Sequence, residues 1–392
     1  MAATATPAAP ERAGEPAVVT TTEPANGSGS PSGTAGNSDT ADTADTAGTA
    51  GTAGTAGTAE PLQRFAVLGA GAWGSTFAKV LADAGREVKL WARRTSQVDR
   101  INATGRNEEY LPGIELGENV TATDDLDEAL TDSQAVALAV PSQSLRENLT
   151  VFRQVLPGAG PVISLAKGVE VGTGLRMSEL IAGVGRIAPE RIVVLSGPNL
   201  AAEIAAGQPT ATVLACTDHA AAVAVQLACA GGYFRPYTIT DVIGTEIAGT
   251  TKNIIALATG IAEGLGLGLN TSASLIARGL NEMTGLGVAL GASAQTFAGL
   301  AGLGDLVATC SSPLSRNRSL GVLLGKGQSL QQATETTGAL AEGVVSCRST
   351  RDLAHRHGIS MPITEAVFAV CHQHAAPEQM IRSLMDRPPT PE

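Results

Sequence analysis

Phe65-Ala66-Val67-Leu68 runs directly into Gly69-Ala70-Gly71-Ala72-Trp73-Gly74, and this junction restricts the fold more than any other stretch of the chain. A short apolar run that ends at a glycine reads as a buried parallel strand. A helix is expected from about Ala72 to Ala84, closed by Gly85. In that setting Gly69 permits the tight turn and Gly71 lets backbone amides approach a diphosphate. Gly74 lets the helix pack close to the strand. The first helical residues, Ala72 and Trp73, lie where free N–H groups and the positive end of the helix dipole favour a phosphate. The pattern alone arises easily by chance in a chain with 46 glycines. Its position between a strand and a helix makes it a predicted dinucleotide site.

Further strand-like runs follow at Glu87–Ala92, Ala135–Val140, Pro161–Leu165, Ile192–Leu195 and Ala211–Cys216, with helical segments between several of them. Such alternation predicts an open parallel sheet with helices on both faces, a Rossmann-like doubly wound α/β domain over residues 63–239. Near Asp241 the pattern changes. Small apolar residues at helical spacing fill 246–265, 272–290 and 295–300, and further helix-like segments lie at 330–336, 344–356 and 364–373. An all-helical substrate domain is expected over 240–388. Residues 1–62 are expected to be a disordered low-complexity tail. Residues 1–60 contain no Leu, Ile, Phe, Tyr or Trp and include a run of three-residue repeats, so they cannot bury enough apolar area to offset the entropy of ordering. Glycine at every third place there suggests collagen, but no proline accompanies it.

More than half of the formal charge of −11 sits in residues 1–60, and the remaining acidity argues against a nucleic-acid partner. A phosphate substrate therefore needs local positive charge. The five cysteines show no metal or redox spacing and read as reduced, mostly buried thiols. The pairs His355/His357 and His372/His374 place their rings on different sides of a helix, which disfavours a shared metal. No apolar segment suits a signal peptide or a membrane span, and a cytoplasmic protein is expected.

The end of the second strand bears on cofactor choice. An acid there would bind the adenosine ribose hydroxyls and repel a 2′-phosphate. This chain has Ala92-Arg93-Arg94 instead, so NADP(H) use is expected, with NAD the alternative. Four polar clusters stand out farther on: Lys167, Gly197-Pro198-Asn199, Lys252-Asn253, and Asp305 with Ser315-Arg316-Asn317. Lys167 follows a strand, where ligands bind in open α/β sheets. Lys252 interrupts a run of Gly, Thr, Ile and Ala; it must either reach water or be held there for chemistry.

In these clusters the chain resembles the bacterial-type NAD(P)-dependent glycerol-3-phosphate dehydrogenase family, across residues 64–385. The matching stretches include Gly69–Gly74, Leu111-Pro112-Gly113, Ala166-Lys167-Gly168, Ser196-Gly197-Pro198-Asn199, Lys252-Asn253, Gly304-Asp305, Ser315-Arg316-Asn317 and Glu342-Gly343. The resemblance implies interconversion of sn-glycerol 3-phosphate and dihydroxyacetone phosphate by hydride transfer, for glycerophospholipid synthesis, by a homodimer with no metal. It makes Lys252 the proton carrier, Lys167 the cation that polarises the C2 oxygen, and Asp305 the residue that orients Lys252. It makes Ser315, Arg316 and Asn317 the phosphate clamp, and gives Gly197 and Asn199 to the substrate. Tyr110, Ala201, Leu340 and Glu342 fall at the cofactor, which Lys167 and Arg316 also reach. A free lysine titrates near ~10.4, so a useful base requires burial strong enough to outweigh Asp305. The chain departs from its relatives at Thr250-Thr251, whose hydroxyls are expected to bond within the helix. An NADP(H)-binding redox-sensing regulator without catalysis is the reading from another class; it predicts a missing lysine or clamp.

Overall fold

The computed structural model describes residues 62–338 and 341–386. Eight strands form one sheet: β1 (Arg64–Leu68), β2 (Glu87–Trp91), β3 (Val120–Thr123), β4 (Ala135–Leu138), β5 (Val162–Ser164), β6 (Ile192–Ser196), β7 (Thr210–Ala215) and β8 (Phe234–Ile239). Their order is β3-β2-β1-β4-β5-β6-β7-β8. Side chains alternate between two apolar layers: Phe65 and Val67 belong to one and Ala66 and Leu68 to the other, as a strand covered on both faces requires. The strand order reverses between β1 and β4, which opens a crevice at the carboxyl edge where the glycine turn lies.

The sheet is not wholly parallel. Strands β1 to β6 are parallel, but β7 runs antiparallel to β6, and β8 is parallel to β7. The connection explains this correction. After Ser196 the chain turns at Gly197 (φ 138°) and makes only the five-residue helix Ala201–Ala205. That helix is about 8 Å long, against about 17 Å for a five-residue strand, so the chain re-enters the sheet from the edge it left.

After Ile239 every described element is a helix. The central one, Val242–Gly264, carries Lys252 and is here named the lysine helix. It is buried without interruption from Gly244 to Ala262, so it is covered on all sides rather than along a stripe. Asp241 caps its start, accepting from the Gly244 amide at 2.9 Å. A second helix, Arg316–Gly325, follows Ser315 and is here named the clamp helix. The two pack backbone against backbone. A Cβ on Gly260 would lie 2.2 Å from the Arg318 carbonyl oxygen, and one on Gly321 would lie 2.4 Å from that of Leu257. Gly264 and Gly325 repeat the contact one turn farther on. This glycine seam fixes the clamp helix relative to Lys252. Among the described residues no helix is long and apolar enough to cross a membrane.

Candidate active site

The glycine turn has the form its sequence implies. Gly69 adopts φ 124°, and a Cβ there would lie 2.7 Å from the Ala139 carbonyl oxygen. A Cβ on Gly74 would lie 1.9 Å from the Gly69 carbonyl oxygen, whereas Gly71 faces open space. Thus two glycines are required by packing and the third leaves room for a ligand. Gly71 caps the helix Ala72–Asp83 without a side-chain partner, so its first amides stay available. The Trp73 Nε1 is buried and has no hydrogen-bond partner. An open cradle beside an unpartnered donor fits a dinucleotide diphosphate.

At the end of β2, Arg93 and Arg94 are both exposed. Arg94 is tied to Glu109 at 2.7 Å, and Tyr110 lies beside this pair, 40% exposed. Ala201 opens its short helix next to the glycine-turn helix, where the Thr76 hydroxyl lies 3.2 Å from the Ala201 carbonyl. Leu340 lies outside the described residues.

Lys167 and Lys252 converge. Lys167 follows β5 at the carboxyl edge of the sheet; Lys252 projects from the middle of the lysine helix. Both donate to Asp305, the first residue of helix Asp305–Ser311: Lys167 Nζ to Oδ2 at 3.0 Å, and Lys252 Nζ to Oδ1. Asp305 is 1% exposed and Lys252 6%. Burial pushes the Lys252 amine down to about 8; the Asp305 carboxylate opposes this and the Lys167 ammonium adds to it. Burial thus wins over the neighbouring carboxylate, as a usable base requires. A single carboxylate balances one ammonium, so a second proton leaves the buried cluster with uncompensated charge. Close approach is built in: Gly249, one turn before Lys252, lets the lysine helix lie against the end of β6, since a Cβ there would lie 2.7 Å from Ser196 Oγ, and the Lys167 stem passes in ordinary contact beside it. Thr250 and Thr251 turn their hydroxyls into the helix, onto the carbonyls of Glu246 at 2.8 Å and Ile247 at 2.7 Å.

The Gly197–Asn199 loop borders this cluster, with Pro198 against Gly304. Both amide atoms of Asn199 are buried without a partner, an arrangement that costs free energy unless a ligand completes it. Ser315 caps the clamp helix, accepting from the Arg318 amide at 3.3 Å, and Arg316 opens the helix with an exposed guanidinium. Asn317 faces inward instead. Its Nδ2 donates to Asn253 Oδ1 at 3.0 Å and its Oδ1 accepts from the Gly343 amide at 2.8 Å. It therefore ties the lysine helix, the clamp helix and the start of helix Glu342–Arg356 together. Burial raises the Glu342 carboxyl, against the pull of Arg316, Lys167 and Lys252, so all four groups share one neighbourhood.

Sequence reasoning missed a buried acid on the lysine helix. Glu246 accepts from Arg176 Nη1 at 2.6 Å, from the Ser178 amide at 2.7 Å and from the Ser178 hydroxyl at 2.6 Å. It joins the lysine helix to the helix Met177–Gly183, and the signal was available: an acid within an apolar helix. Among the described residues no group of three or more His, Cys, Asp and Glu could hold a metal ion. His355 is engaged with Glu365, and His372 Nε2 lies 2.7 Å from the Val344 carbonyl.

A glycine-turn sheet joined to a helical half whose buried lysine meets a second one from the sheet fits a nicotinamide-dependent dehydrogenase. The comparisons narrow this class. The profile described as NAD-dependent glycerol-3-phosphate dehydrogenase N-terminus matches residues 64–222, and the corresponding C-terminus profile matches 241–382. The chain belongs to the NAD-dependent glycerol-3-phosphate dehydrogenase family. A glycerol-3-phosphate dehydrogenase (NAD(P)+) of Corynebacterium glutamicum (strain R) is 57% identical over 323 residues, 82% of this chain and 97% of the relative. One from Nocardia farcinica is 57% identical over 337 residues, 84% of this chain and all of the relative. The crystal structure of the Coxiella burnetii glycerol-3-phosphate dehydrogenase superposes with a TM-score of 0.80 at 37% identity, covering 83% of this chain and 99% of that one.

Proposed function

We propose that the chain interconverts sn-glycerol 3-phosphate and dihydroxyacetone phosphate with NAD(P) as cofactor. Residues 63–239 serve the cofactor in this reading, and residues 240–388 serve the substrate. The observation that carries it is the meeting of Lys167 and Lys252 on the buried Asp305. When bound, the nicotinamide supplies hydride acceptance and donation at its C4. The glycine turn and the amides opening helix Ala72–Asp83 hold the diphosphate.

In oxidation the uncharged Lys252 amine accepts the proton of the C2 hydroxyl as hydride leaves C2. In reduction its ammonium returns a proton to the C2 oxygen. An amine brought to about 8 populates both forms near neutrality, which suits a group that must do both. The Lys167 ammonium steadies negative charge developing on the C2 oxygen, inside a site with little water to screen it. Asp305 holds both amines at one point. Arg316, with the N-terminus of the clamp helix and Ser315 behind it, takes the substrate phosphate. That phosphate does not react, so its binding energy goes into positioning C2. Asn317 supports this clamp by bracing its helix, and Asn199 completes its amide bonds on the substrate.

The test is NADPH oxidation followed at 340 nm with dihydroxyacetone phosphate. Turnover that requires the phosphate group is expected; tight cofactor binding without turnover contradicts the reading. A homodimer working in the cytoplasm toward glycerophospholipid backbones completes the proposal, supported by the family, with light scattering on the purified protein as the check on its mass.

A further inference from the structure

NAD and NADP differ by one phosphate on the adenosine ribose, so the groups beyond β2 decide between them. The two arginines there are not equivalent. Arg93 has no ion-pair partner among the described residues. Arg94 precedes the helix Thr95–Thr104, and its Nη2 lies 2.7 Å from each carboxylate oxygen of Glu109. The Arg100 guanidinium reaches the same carboxylate at 3.5 Å. Glu109 is also held in place. Asn107, two residues earlier and buried, donates from Nδ2 to the Ala70 carbonyl at 2.9 Å and to the Ser75 hydroxyl at 2.8 Å. Gln97 donates to the same Ala70 carbonyl at 2.8 Å and accepts from Arg94 at 3.3 Å. The segment bearing Glu109 is thus pinned to the glycine turn itself.

We propose that Glu109 is a specificity-determining residue: its carboxylate occupies Arg94 and opposes a 2′-phosphate, which keeps the protein open to NAD as well as NADP. The inference rests on the proposed dehydrogenase reading and on the cofactor's ribose lying beyond β2. The chain lacks an acid at the end of β2, and Glu109 brings one in from the segment between helix Thr95–Thr104 and β3. An NADP phosphate must draw Arg94 away from Glu109 and sit near a like charge; an unphosphorylated ribose meets neither cost. Arg94 and Glu109 have side chains 50% and 40% exposed, so the effect is moderate and screened by salt.

The experiment compares kcat/KM for NADPH and NADH in the wild-type protein, Glu109→Gln, Glu115→Gln and Arg93→Ala, at low salt and at about 0.5 M salt. Glu115 is an exposed acid on the same segment, paired with Arg106 at 2.6 Å, and controls for loss of surface charge. Glu109→Gln is expected to raise the NADPH:NADH ratio about 5-fold at low salt, through the KM for NADPH with kcat unchanged, and less at high salt. Glu115→Gln is expected to leave the ratio alone. An unchanged ratio in Glu109→Gln, or both cofactors shifting by one factor, overturns the proposal. If Arg93→Ala lowers the ratio while Glu109→Gln does nothing, only the role of Glu109 falls. If neither moves it, the placement of the ribose beyond β2 falls too.

Discussion

Two pairs of cations mark this chain, and they lie in opposite environments. Lys167 and Lys252 share one buried carboxylate, while Arg93 and Arg94 stand in water at the end of β2. Lys252 and Asp305 are buried and Lys167 nearly so, so charges near Lys252 act at low effective dielectric, and burial drives its amine far from its ordinary range. At the arginine corner solvent and salt screen every interaction. The same kind of charge therefore serves proton transfer in one place and graded selectivity in the other, and burial makes the difference. Substitutions at the lysine pair should change rates by orders of magnitude, and those at the arginine corner only ratios.

The largest effect is expected from Lys252→Ala: a loss of about 1000-fold in kcat in both directions, with an unchanged circular dichroism spectrum. Near-normal turnover would remove Lys252 from its role and blur the contrast. Arg316→Ala comes next, raising the KM for dihydroxyacetone phosphate about 100-fold while lowering kcat less, as steady-state kinetics will show. Replacing Arg93 and Arg94 together by Ala should lower the NADPH:NADH ratio of kcat/KM about 10-fold with little change for NADH. Smallest is the response to salt. Raising it from 0.05 to 0.5 M should shift the apparent pKa of the oxidation rate only slightly while lowering the NADPH:NADH ratio of kcat/KM, and a large shift in that pKa would mean that Lys252 is less shielded than its burial implies.

Much of this contrast was legible in the sequence because charged residues inside apolar runs are conspicuous. Lys252 among Gly, Thr, Ile and Ala stood out, and the order of motifs from Gly69 to Glu342 supplied the rest through resemblance. The two strands that were not legible share a physical cause. β3 (Val-Thr-Ala-Thr) and β8, which contains Pro236, are the two edges of the sheet, where strands need neither continuous apolarity nor every backbone donor. The clamp helix escaped notice because Gly321 and Gly325 weaken a helix by about 1 kcal/mol each relative to Ala. Their value lies in the backbone contact with Gly260 and Gly264, which only the fold shows. The reversal of β7 is invisible in its apolar run, since orientation depends on where the preceding connection returns. Nor could sequence show that Asn317 spends its amide on Asn253 and Gly343, or that Glu109 holds Arg94.

The most direct test of the central claim is the pH dependence of kcat/KM for glycerol 3-phosphate oxidation. The Lys252 amine must lose its proton to act as base, so the rate should rise with unit slope as pH increases and level off above about 8. Reduction should fall across the same interval as the donor form is depleted. A profile that is flat between pH 6 and 10, or one that Lys252→Ala leaves in place on its residual rate, would contradict the assignment of the buried lysine as the proton carrier.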